Sequence, residues 1–202
     1  MTPPRSPAGR ATPRQQRSIA MRERLLSEAV RLLEEHPGTR PTTQQIADNA
    51  DVSIGTVYRY FASMDPLIEE LRSNAVRDIS ADLAAGVGAA LGQEPVDSMV
   101  TVVEALTSSF ERHTPILSVT MTASDEARLW PDAEGPLLAL ARVIPARLRP
   151  DLTGRELDDL VFLTMGATAS LCLRIALFRP PDADRDALVG VAARMLLAAF
   201  TK

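Results

Sequence analysis

The sequence predicts an all-α protein, and three observations indicate that fold class. Alanine, leucine and arginine dominate the 202 residues, whereas aromatic residues, which favour strands, make up only 4%. Apolar residues recur at the three- and four-residue spacing of a helix, and no window alternates convincingly at the two-residue spacing of a strand. The apolar fraction of 46% is sufficient to form a buried core. We therefore expect about nine helices and no sheet.

The chain begins with a segment that predicts no regular structure. Residues 1–16 are rich in proline, arginine and small side chains, and we expect a disordered basic arm there. From about Arg17, apolar residues recur at helical spacing until His36-Pro37-Gly38 stops the run. The first helix is therefore expected between Arg17 and His36.

Two short helices separated by a tight turn are expected next. Thr42 or Thr43 is a good N-cap for the first, because a threonine hydroxyl accepts a hydrogen bond from an unpaired amide of the first turn. Ser53 offers a second N-cap only a few residues beyond Ala50, and the helix that it starts runs to Phe61. This order of elements is the helix-turn-helix arrangement.

Small and apolar positions within residues 42–61 fit that arrangement. The two helices cross closely, so that the contact position must be small, and Ala47 stands there. Four residues later the turn requires a positive φ, which Asp51 adopts more readily than most residues other than glycine. The residues expected to pack inward on the first helix are Ile46, Ala50, Val52, Val57 and either Tyr60 or Phe61.

Six further helices are expected in the rest of the chain. Prolines, glycines and N-cap residues mark their limits. They are expected from Ser63 until Gly86 and Gly88, beyond Pro95, from Pro115 to about Arg128, from Leu137 to Leu148, from the capping-box sequence Thr153–Glu156 to Phe178, and beyond Pro180-Pro181 to Phe200. We therefore divide the chain into the arm, a helix-turn-helix domain at residues 17–63 and a second helical domain at residues 64–202.

The net charge of −4 hides an uneven distribution of charged residues. Residues 1–24 contain six arginines and one acid, Glu23, whereas residues 75–202 contain 12 basic and 17 acidic side chains. A basic segment ahead of an acidic body indicates a protein that meets a polyanion at one end, while a solvated basic tail fits the composition equally well.

Three features predict a cytoplasmic protein with no membrane partner. The N-terminus lacks the apolar region of a secretory signal. No uninterrupted apolar run reaches the roughly 18 residues that cross a bilayer. The single cysteine, Cys172, forms no internal disulfide, as is usual in a reducing compartment, and its apolar surroundings favour a core residue over a redox sensor.

The segment "TTQQIADNADVSIGTVYRYFASMDPL" resembles the DNA-binding segment of the TetR family of transcriptional regulators. The resemblance covers about residues 17–72 and rests on the Thr, Ile-Ala and aromatic-x-x-Phe spacing, on helix order and on total length. The family often has a lysine at the start of helix four, where this chain has Met64, so that a common phosphate contact is absent. Arg10, Arg14 and Arg17 are candidates to compensate by reaching phosphates or an AT-rich minor groove.

The resemblance implies that the helix from Ser53 to Phe61 lies in the major groove of duplex DNA. Arg59 is the candidate for direct base reading, because a guanidinium can bond guanine O6 and N7 together. Tyr58 and Tyr60, the only tyrosines in the chain, are expected to donate hydrogen bonds to phosphates. The remaining DNA-binding candidates are Ser53, Gly55 and Thr56 near the bases, Ile54 against a thymine methyl, and Thr43 on a phosphate.

The resemblance also implies an apolar pocket inside helices five to eight. A small-molecule effector would bind there, move helix four and change the spacing of the two DNA-binding domains; no cofactor or metal is implied. Methionine and aromatic side chains suit such a pocket, although the same residues form any helical core. The candidate ligand-binding residues are Met99, Val103, Phe110, Met121, Trp130, Phe162 and Met165.

A homodimer is implied as well, because two-fold symmetric proteins bind pseudo-palindromic sites. Small residues on the long helix would allow another helix to approach closely, and the last helix is rich in alanine and leucine. The expected dimer surface contains Gly166, Ala167, Ala169 and Ser170 on the first of these helices and Leu188, Val191 and Met195 on the second.

The sequence argues against an enzyme. Its only histidines, His36 and His113, are far apart, and no HExxH, GxSxG, phosphate-loop or GxGxxG motif is present. We therefore expect a ligand-responsive transcriptional regulator, a repressor that binds a pseudo-palindromic operator as a dimer and is released by its effector. The alternative is a helical dimeric interaction or sensor protein that has lost sequence-specific DNA binding, an interpretation for which Asp51 and Met64 leave room.

Overall fold

The structure is a computed structural model that describes residues 13–120 and 137–200. Within these ranges it contains nine helices and no strand, which confirms the predicted all-α class. The helices are α1 (Pro13–Glu35), α2 (Thr43–Asn49), α3 (Ile54–Tyr60), α4 (Met64–Ala90), α5 (Pro95–Arg112), α6 (Thr114–Thr120), α7 (Val143–Leu148), α8 (Gly154–Phe178) and α9 (Arg185–Ala198). Residues 137–141 are also helical.

The chain divides into two compact units, Met1–Glu69 and Glu70–Lys202. The first unit contains α1, α2, α3 and the beginning of α4. Its core is formed by aliphatic side chains from each of these helices, among them the fully buried Leu25, Leu33, Ile46, Val57 and Leu67. Burying a side chain of this size contributes about 1.5–3 kcal/mol relative to leaving it exposed, so this core holds α2 and α3, two seven-residue helices that would not be stable alone.

Helix α1 begins at Pro13, earlier than the predicted start at Arg17. Residues 13–16 are therefore helical, whereas the sequence pattern places them in the arm. Proline is tolerated at the first helical position because its missing amide would have no partner there, and the glutamines and arginines that follow are good helix formers. Residues 1–12 lie outside the described part of the chain.

The turn between α2 and α3 has the predicted geometry. Thr42 caps α2, its hydroxyl accepts a hydrogen bond from the Gln45 amide at 3.2 Å, and the Gln45 side chain accepts one from the Thr42 amide at 2.8 Å. Asp51 adopts a φ of 49°, the left-handed conformation expected for this turn. Ala47 is fully buried. The helix-turn-helix arrangement is thus fixed by local signals.

The second unit is built around α5, which packs against α8 and α9. Helix α4 continues to Ala90 instead of ending near Gly86, where the sequence predicts that it weakens. The reason is close packing, since a Cβ atom at Gly86 would lie 2.5 Å from the Cβ atom of Ala105 on α5. The end of α4 is satisfied by Ser98, whose buried hydroxyl donates to the Ala90 carbonyl at 2.8 Å.

Helix α8 begins where the sequence predicts, but it lacks the predicted side-chain cap and contains a membrane-length apolar segment that the sequence was not expected to have. Thr153 occupies the N-cap position but makes no side-chain capping bond, and Gly154 begins the helix with a φ of 54°. By length and composition, Gly154–Phe178 is apolar enough to cross a membrane. This is weak evidence for a membrane helix, because core helices of soluble proteins have the same composition, and α8 packs against α5 and α9.

Candidate nucleic-acid interface and ligand cavity

Helix α3 presents one face to the core of the first unit and the other to the surface. Val57 is buried, and Phe61, just beyond the helix, is buried as well. Away from this core contact, Ile54 is 40% exposed and Tyr58 is 51% exposed, and Arg59 is also exposed. A short, rigid helix with apolar, aromatic and cationic groups on its outer face has the size and chemistry that suit a major groove.

The N-terminus of α3 is held by its own hydroxyl groups. The Ser53 hydroxyl accepts a hydrogen bond from the Thr56 amide at 3.2 Å and lies 3.0 Å from the Thr56 hydroxyl. Gly55 is exposed, and a Cβ atom there would meet only Ser53 Oγ, at 3.8 Å. No packing contact in residues 13–120 and 137–200 therefore requires a glycine at this point, and its lack of a side chain leaves space on the outer surface of the helix.

The two tyrosines of α3 differ in their surroundings. Tyr58 points outward, whereas Tyr60 is half-buried and its ring lies under the Arg59 guanidinium, with 5.1 Å between Cζ and the ring centroid. A hydrogen bond from the Ser18 hydroxyl lowers the pKa of Tyr60, and the charge of Arg59 lowers it further. Thr43 is the first residue of α2 and is half-buried.

A cation that the sequence pattern did not indicate, Arg40 from the loop before α2, lies at the start of α4. Met64, which stands where the family often has lysine, is the first residue of the helix and is half-buried. Arg40 donates to Asp65 in the first turn at 3.2 Å, and both side chains are exposed. Arg14 and Arg17 are exposed on α1, and Arg10 lies outside the described residues. Exposed arginines therefore occur on α1, α3 and the loop before α2.

The second unit contains an apolar cavity of about 260 Å³. It lies among α4, α5, α6, residues 137–141, α7 and α8, with Phe200 completing the wall. Every described lining residue is apolar except Thr164, Thr168 and Ser170. The two threonine hydroxyls donate to main-chain carbonyls one turn back in α8, each at 2.7 Å. The described wall thus presents mainly hydrocarbon to a ligand.

The seven ligand-binding candidates fall at different places. Met99, Phe110 and Met165 line the cavity. Val103 is fully buried but is not among the cavity-lining residues, and its carbonyl lies 3.7 Å from the Cys172 sulfur. Phe162 is 66% exposed on α8, and Met121 and Trp130 lie outside the described residues.

Sequence reasoning missed the contribution of α4 to the cavity. Val76, Ile79, Leu83 and Val87 line one side, at spacings of three and four residues. That spacing is visible in the sequence, but it is the same for a core stripe and for a cavity wall. In the described ranges, no group of three or more histidine, cysteine, aspartate or glutamate residues is placed to hold a metal ion.

An exposed apolar surface is formed by α8 and α9, which pack against each other. Phe162 and Leu163 on α8 are 66% and 67% exposed, and Val191 and Met195 on α9 are exposed as well. Of the small residues expected on this surface, Ala169 is instead buried and lines the cavity. Helix α9 is fixed to α5 by Arg185, which binds Glu104 at 2.8 Å and Glu111 at 2.9 Å.

Cys172 is buried between these helices. Burial raises the pKa of its thiol to about 11, and the thiol faces the Val103 carbonyl with 3.7 Å between sulfur and oxygen. A thiol with so high a pKa is protonated at neutral pH and is a poor nucleophile. Cys172 is therefore a core residue, as the sequence indicates.

Comparisons with known proteins give these features a family context. The model of the N-terminal domain described as "Bacterial regulatory proteins, tetR family" matches residues 25–71. This range includes α2, α3, the C-terminal half of α1 and the beginning of α4. A search of curated proteins found no significant match.

Solved structures share the fold at low sequence identity. A putative TetR-family transcriptional regulator from Mesorhizobium loti MAFF303099 has a TM-score of 0.67 at 15% identity, over 91% of this chain and 96% of that one. The fatty acid degradation regulator FadR from Bacillus halodurans has a TM-score of 0.62 at 15% identity, over 94% and 97%. Thermus thermophilus FadR, a TetR-family transcriptional repressor in complex with lauroyl-CoA, has a TM-score of 0.58 at 20% identity, over 90% and 95%.

At these identities the structural likeness establishes the fold, and the family model establishes the N-terminal domain. The resemblance found in the sequence is thereby confirmed: the chain carries the N-terminal domain of the TetR family at residues 25–71, within the all-helical fold of TetR-family transcriptional regulators.

Proposed function

We propose that this protein is a cytoplasmic, non-enzymatic transcriptional repressor that binds a pseudo-palindromic operator as a homodimer and is released by an apolar effector. The observation that carries the proposal is the outer face of α3. Arg59, Tyr58 and Ile54 are exposed on a helix whose inner face is locked by buried Val57. In this proposal Arg59 reads a guanine, Ile54 contacts a thymine methyl and Tyr58 bonds a phosphate.

The remaining DNA-binding candidates have supporting roles. Gly55 permits close approach of the helix to the bases, with Ser53 and Thr56 beside it. Thr43 and the exposed arginines outside α3 contact phosphates, so that binding weakens as salt concentration rises. A dimer bound across a promoter represses by occupying the site of polymerase and needs no activating surface.

The substitution Arg59→Ala tests this role. The wild-type protein is first used to select bound sequences from random duplexes, and affinities are then measured by fluorescence anisotropy on the selected site and on a scrambled one. Loss of a bidentate guanine contact costs about 1–3 kcal/mol of discrimination. We expect Arg59→Ala to lose that discrimination and to keep its weak binding to scrambled DNA and its oligomeric state.

Arg155→Ala is the matched control, because Arg155 is a 93% exposed arginine on α8. It is expected to bind both duplexes like the wild type. Equal affinity of Arg59→Ala and wild type for the selected site would remove the base-reading role. Failure of the wild type to select any sequence would favour the alternative, a helical interaction protein without specific DNA binding.

The proposed homodimer forms through the apolar surface of α8 and α9. Phe162, Leu163, Val191 and Met195 are large apolar residues that a lone chain leaves in water. Homodimer interfaces are typically more apolar than the remaining surface, and an isologous contact would pair the same face of two chains. The helices of the two chains would form a four-helix bundle.

The proposed effector is a small apolar molecule or an acyl chain. The cavity of about 260 Å³ is near the lower end of the roughly 300–1,000 Å³ range of ligand pockets. Its described wall is hydrocarbon, with Met99, Phe110 and Met165 among the adaptable or flat side chains. The lauroyl-CoA complex of the structurally similar repressor from Thermus thermophilus makes acyl chains a sensible first probe.

Thermal shift with dodecanol, lauric acid and lauroyl-CoA tests the cavity. A ligand at 100 times its Kd stabilises the folded protein by about 2.7 kcal/mol. We expect Met165→Trp, which fills the cavity, to abolish that shift, and Leu91→Trp, which adds the same ring at an exposed position, to keep it. A full shift with Met165→Trp would place the ligand elsewhere. The bound ligand is also expected to lower operator affinity.

A further inference from the structure

Helix α1 contacts both aromatic residues at the end of α3. Ser18 and Arg22 stand four residues apart on α1 and therefore lie on the same face of it. The Ser18 hydroxyl is hydrogen-bonded to the phenol of Tyr60, and the Arg22 guanidinium lies 4.7 Å from the ring centroid of Phe61. Phe61 is buried and Tyr60 is half-buried, so this end of α3 is tied to α1 at two successive residues.

The ring of Tyr60 carries the guanidinium of the neighbouring Arg59. The distance from Cζ to the ring centroid is 5.1 Å, within the roughly 6 Å limit of a cation–π contact. Arg59 is otherwise exposed, and its guanidinium contacts Tyr60 both at the ring and, by a hydrogen bond, at the hydroxyl. The order of contacts is therefore Ser18 to Tyr60 and Tyr60 to Arg59.

We propose that Tyr60 is a positioning residue, whose ring, anchored to α1 by Ser18, orients the Arg59 guanidinium toward the base that it reads. This inference rests on the proposed DNA-binding function. An exposed arginine has many rotamers, and a guanidinium that already lies on a fixed aromatic face loses less freedom when it meets a guanine. Tyr60 thus contributes to discrimination between DNA sequences. Tyr58, whose phenol is exposed, contributes to affinity for any duplex.

The competing role for Tyr60 is direct donation to a phosphate. A phosphate donor contributes affinity to every sequence alike, because phosphates carry no sequence information. A positioning residue instead changes the ratio of affinities for the selected site and for a site altered at the base pair that Arg59 reads. The two roles therefore predict different changes in that ratio.

A double-mutant cycle of Tyr60→Leu and Arg59→Ala separates the two roles. With Arg59 present, we expect Tyr60→Leu to lower the affinity ratio about two- to fivefold, the value of an exposed cation–π contact. In the Arg59→Ala background we expect no further loss. Tyr60→Phe keeps the ring but loses the hydroxyl that Ser18 bonds, so it should lower the ratio by less than Tyr60→Leu does. The matched control, Tyr58→Leu, should lower affinity for both sites and show no coupling to Arg59.

Two results would overturn the inference. One is a decrease in the affinity ratio on Tyr60→Leu that has the same size in the presence and in the absence of Arg59. The other is a uniform loss of affinity from Tyr60→Phe with an unchanged ratio, which would make Tyr60 a phosphate donor. Circular dichroism checks that each variant is folded.

A measurement without DNA keeps the anchoring step testable even if Tyr60→Leu does not fold. In a Tyr58→Phe background, Tyr60 is the only phenol, and its ionisation is followed by absorbance near 295 nm. Because the Ser18 hydrogen bond and then the Arg59 charge lower the pKa of Tyr60, both Ser18→Ala and Arg59→Ala should raise it, Ser18→Ala more. An unchanged pKa in both would refute the anchor.

The two experiments also separate this inference from the proposed function. If the wild type selects no sequence while the Tyr60 titration responds to Ser18→Ala, the DNA-binding proposal fails and the contact geometry stands. If the wild type selects a sequence while Tyr60 and Arg59 are uncoupled in the cycle, the positioning role alone fails.

Discussion

The two compact units place a glycine inside a helix for opposite reasons. In the first unit, a Cβ atom at Gly55 of α3 would meet only Ser53 Oγ, at 3.8 Å. In the second unit, a Cβ atom at Gly86 of α4 would lie 2.5 Å from that of Ala105. A helical glycine costs about 1 kcal/mol relative to alanine. At Gly86 close helix packing offsets that cost, whereas at Gly55 no packing contact in the described part of the chain offsets it.

Exposed large side chains show the same contrast. Around Gly55 they are an isoleucine, a tyrosine and an arginine, a mixture of apolar, hydrogen-bonding and charged groups on one short helix. On α8 and α9 they are phenylalanine, leucine, valine and methionine. The first surface suits a polyanion that also offers flat apolar edges, and the second suits another apolar protein surface. The difference indicates two kinds of partner.

The largest expected effect is the loss of the dimer. Leu163→Glu puts a charge in the centre of the apolar surface of α8, where association would bury it without a partner at a cost of several kcal/mol. We expect a folded monomer by sedimentation velocity. Leu91→Glu, which changes a leucine that is 49% exposed beyond α4, is the control and should remain dimeric. A dimeric Leu163→Glu protein would place the interface elsewhere.

The second prediction compares two glycines of α4. Gly86→Ala forces α4 and α5 apart, and overpacking of this kind typically costs about 1–3 kcal/mol. Gly88→Ala meets nothing within 4 Å and should instead stabilise the helix by about 0.5–1 kcal/mol. Urea denaturation followed by circular dichroism measures both. Equal stability of the two variants would mean that the close contact of α4 with α5 does not form.

The sequence predicts most reliably what neighbouring residues determine. The capping of α3 by Ser53 and the positive φ of Asp51 follow from side chains and backbone preferences within a few residues. The end of α4 could not be predicted in this way, because Gly86 is explained by Ala105 on another helix. At Thr153 a capping-box sequence is present, but the left-handed Gly154 begins the helix without a side-chain cap.

Helix α8 shows why the sequence could not separate cavity-lining residues from exposed ones. It is apolar on nearly all sides, so that helical periodicity cannot distinguish its core, its cavity wall and its exposed face. Met165 and Phe162 were equivalent candidates in the sequence, yet Met165 lines the cavity and Phe162 is exposed. On α3 the exposed residues include Tyr58 and Arg59, whose polar groups mark the outer face, although Ile54 is apolar and is exposed as well.

The third prediction tests the outward role of Gly55. Gly55→Ala should stabilise the first unit slightly, because alanine is the better helix former and the added methyl group has space. If α3 approaches DNA closely, the same methyl group should lower operator affinity about tenfold, or about 1.4 kcal/mol. Gly88→Ala is the control, with unchanged affinity by fluorescence anisotropy. Unchanged affinity of Gly55→Ala would mean that this face of α3 does not approach the duplex.

The smallest expected effect concerns Asp51, whose positive φ forms the turn between α2 and α3 in the first unit. At its φ of 49°, a residue with a Cβ atom is disfavoured by roughly 1–2 kcal/mol, with less strain for aspartate and none for glycine. Asp51→Ala should therefore lose up to about 1 kcal/mol, whereas Asp51→Gly should stay close to the wild type. Hydrogen exchange of the α2 and α3 amides reports on this unit alone. An equal loss of stability in both variants would show that the carboxylate of Asp51, rather than its backbone conformation, stabilises the turn. The position of α3 would then depend on that charge.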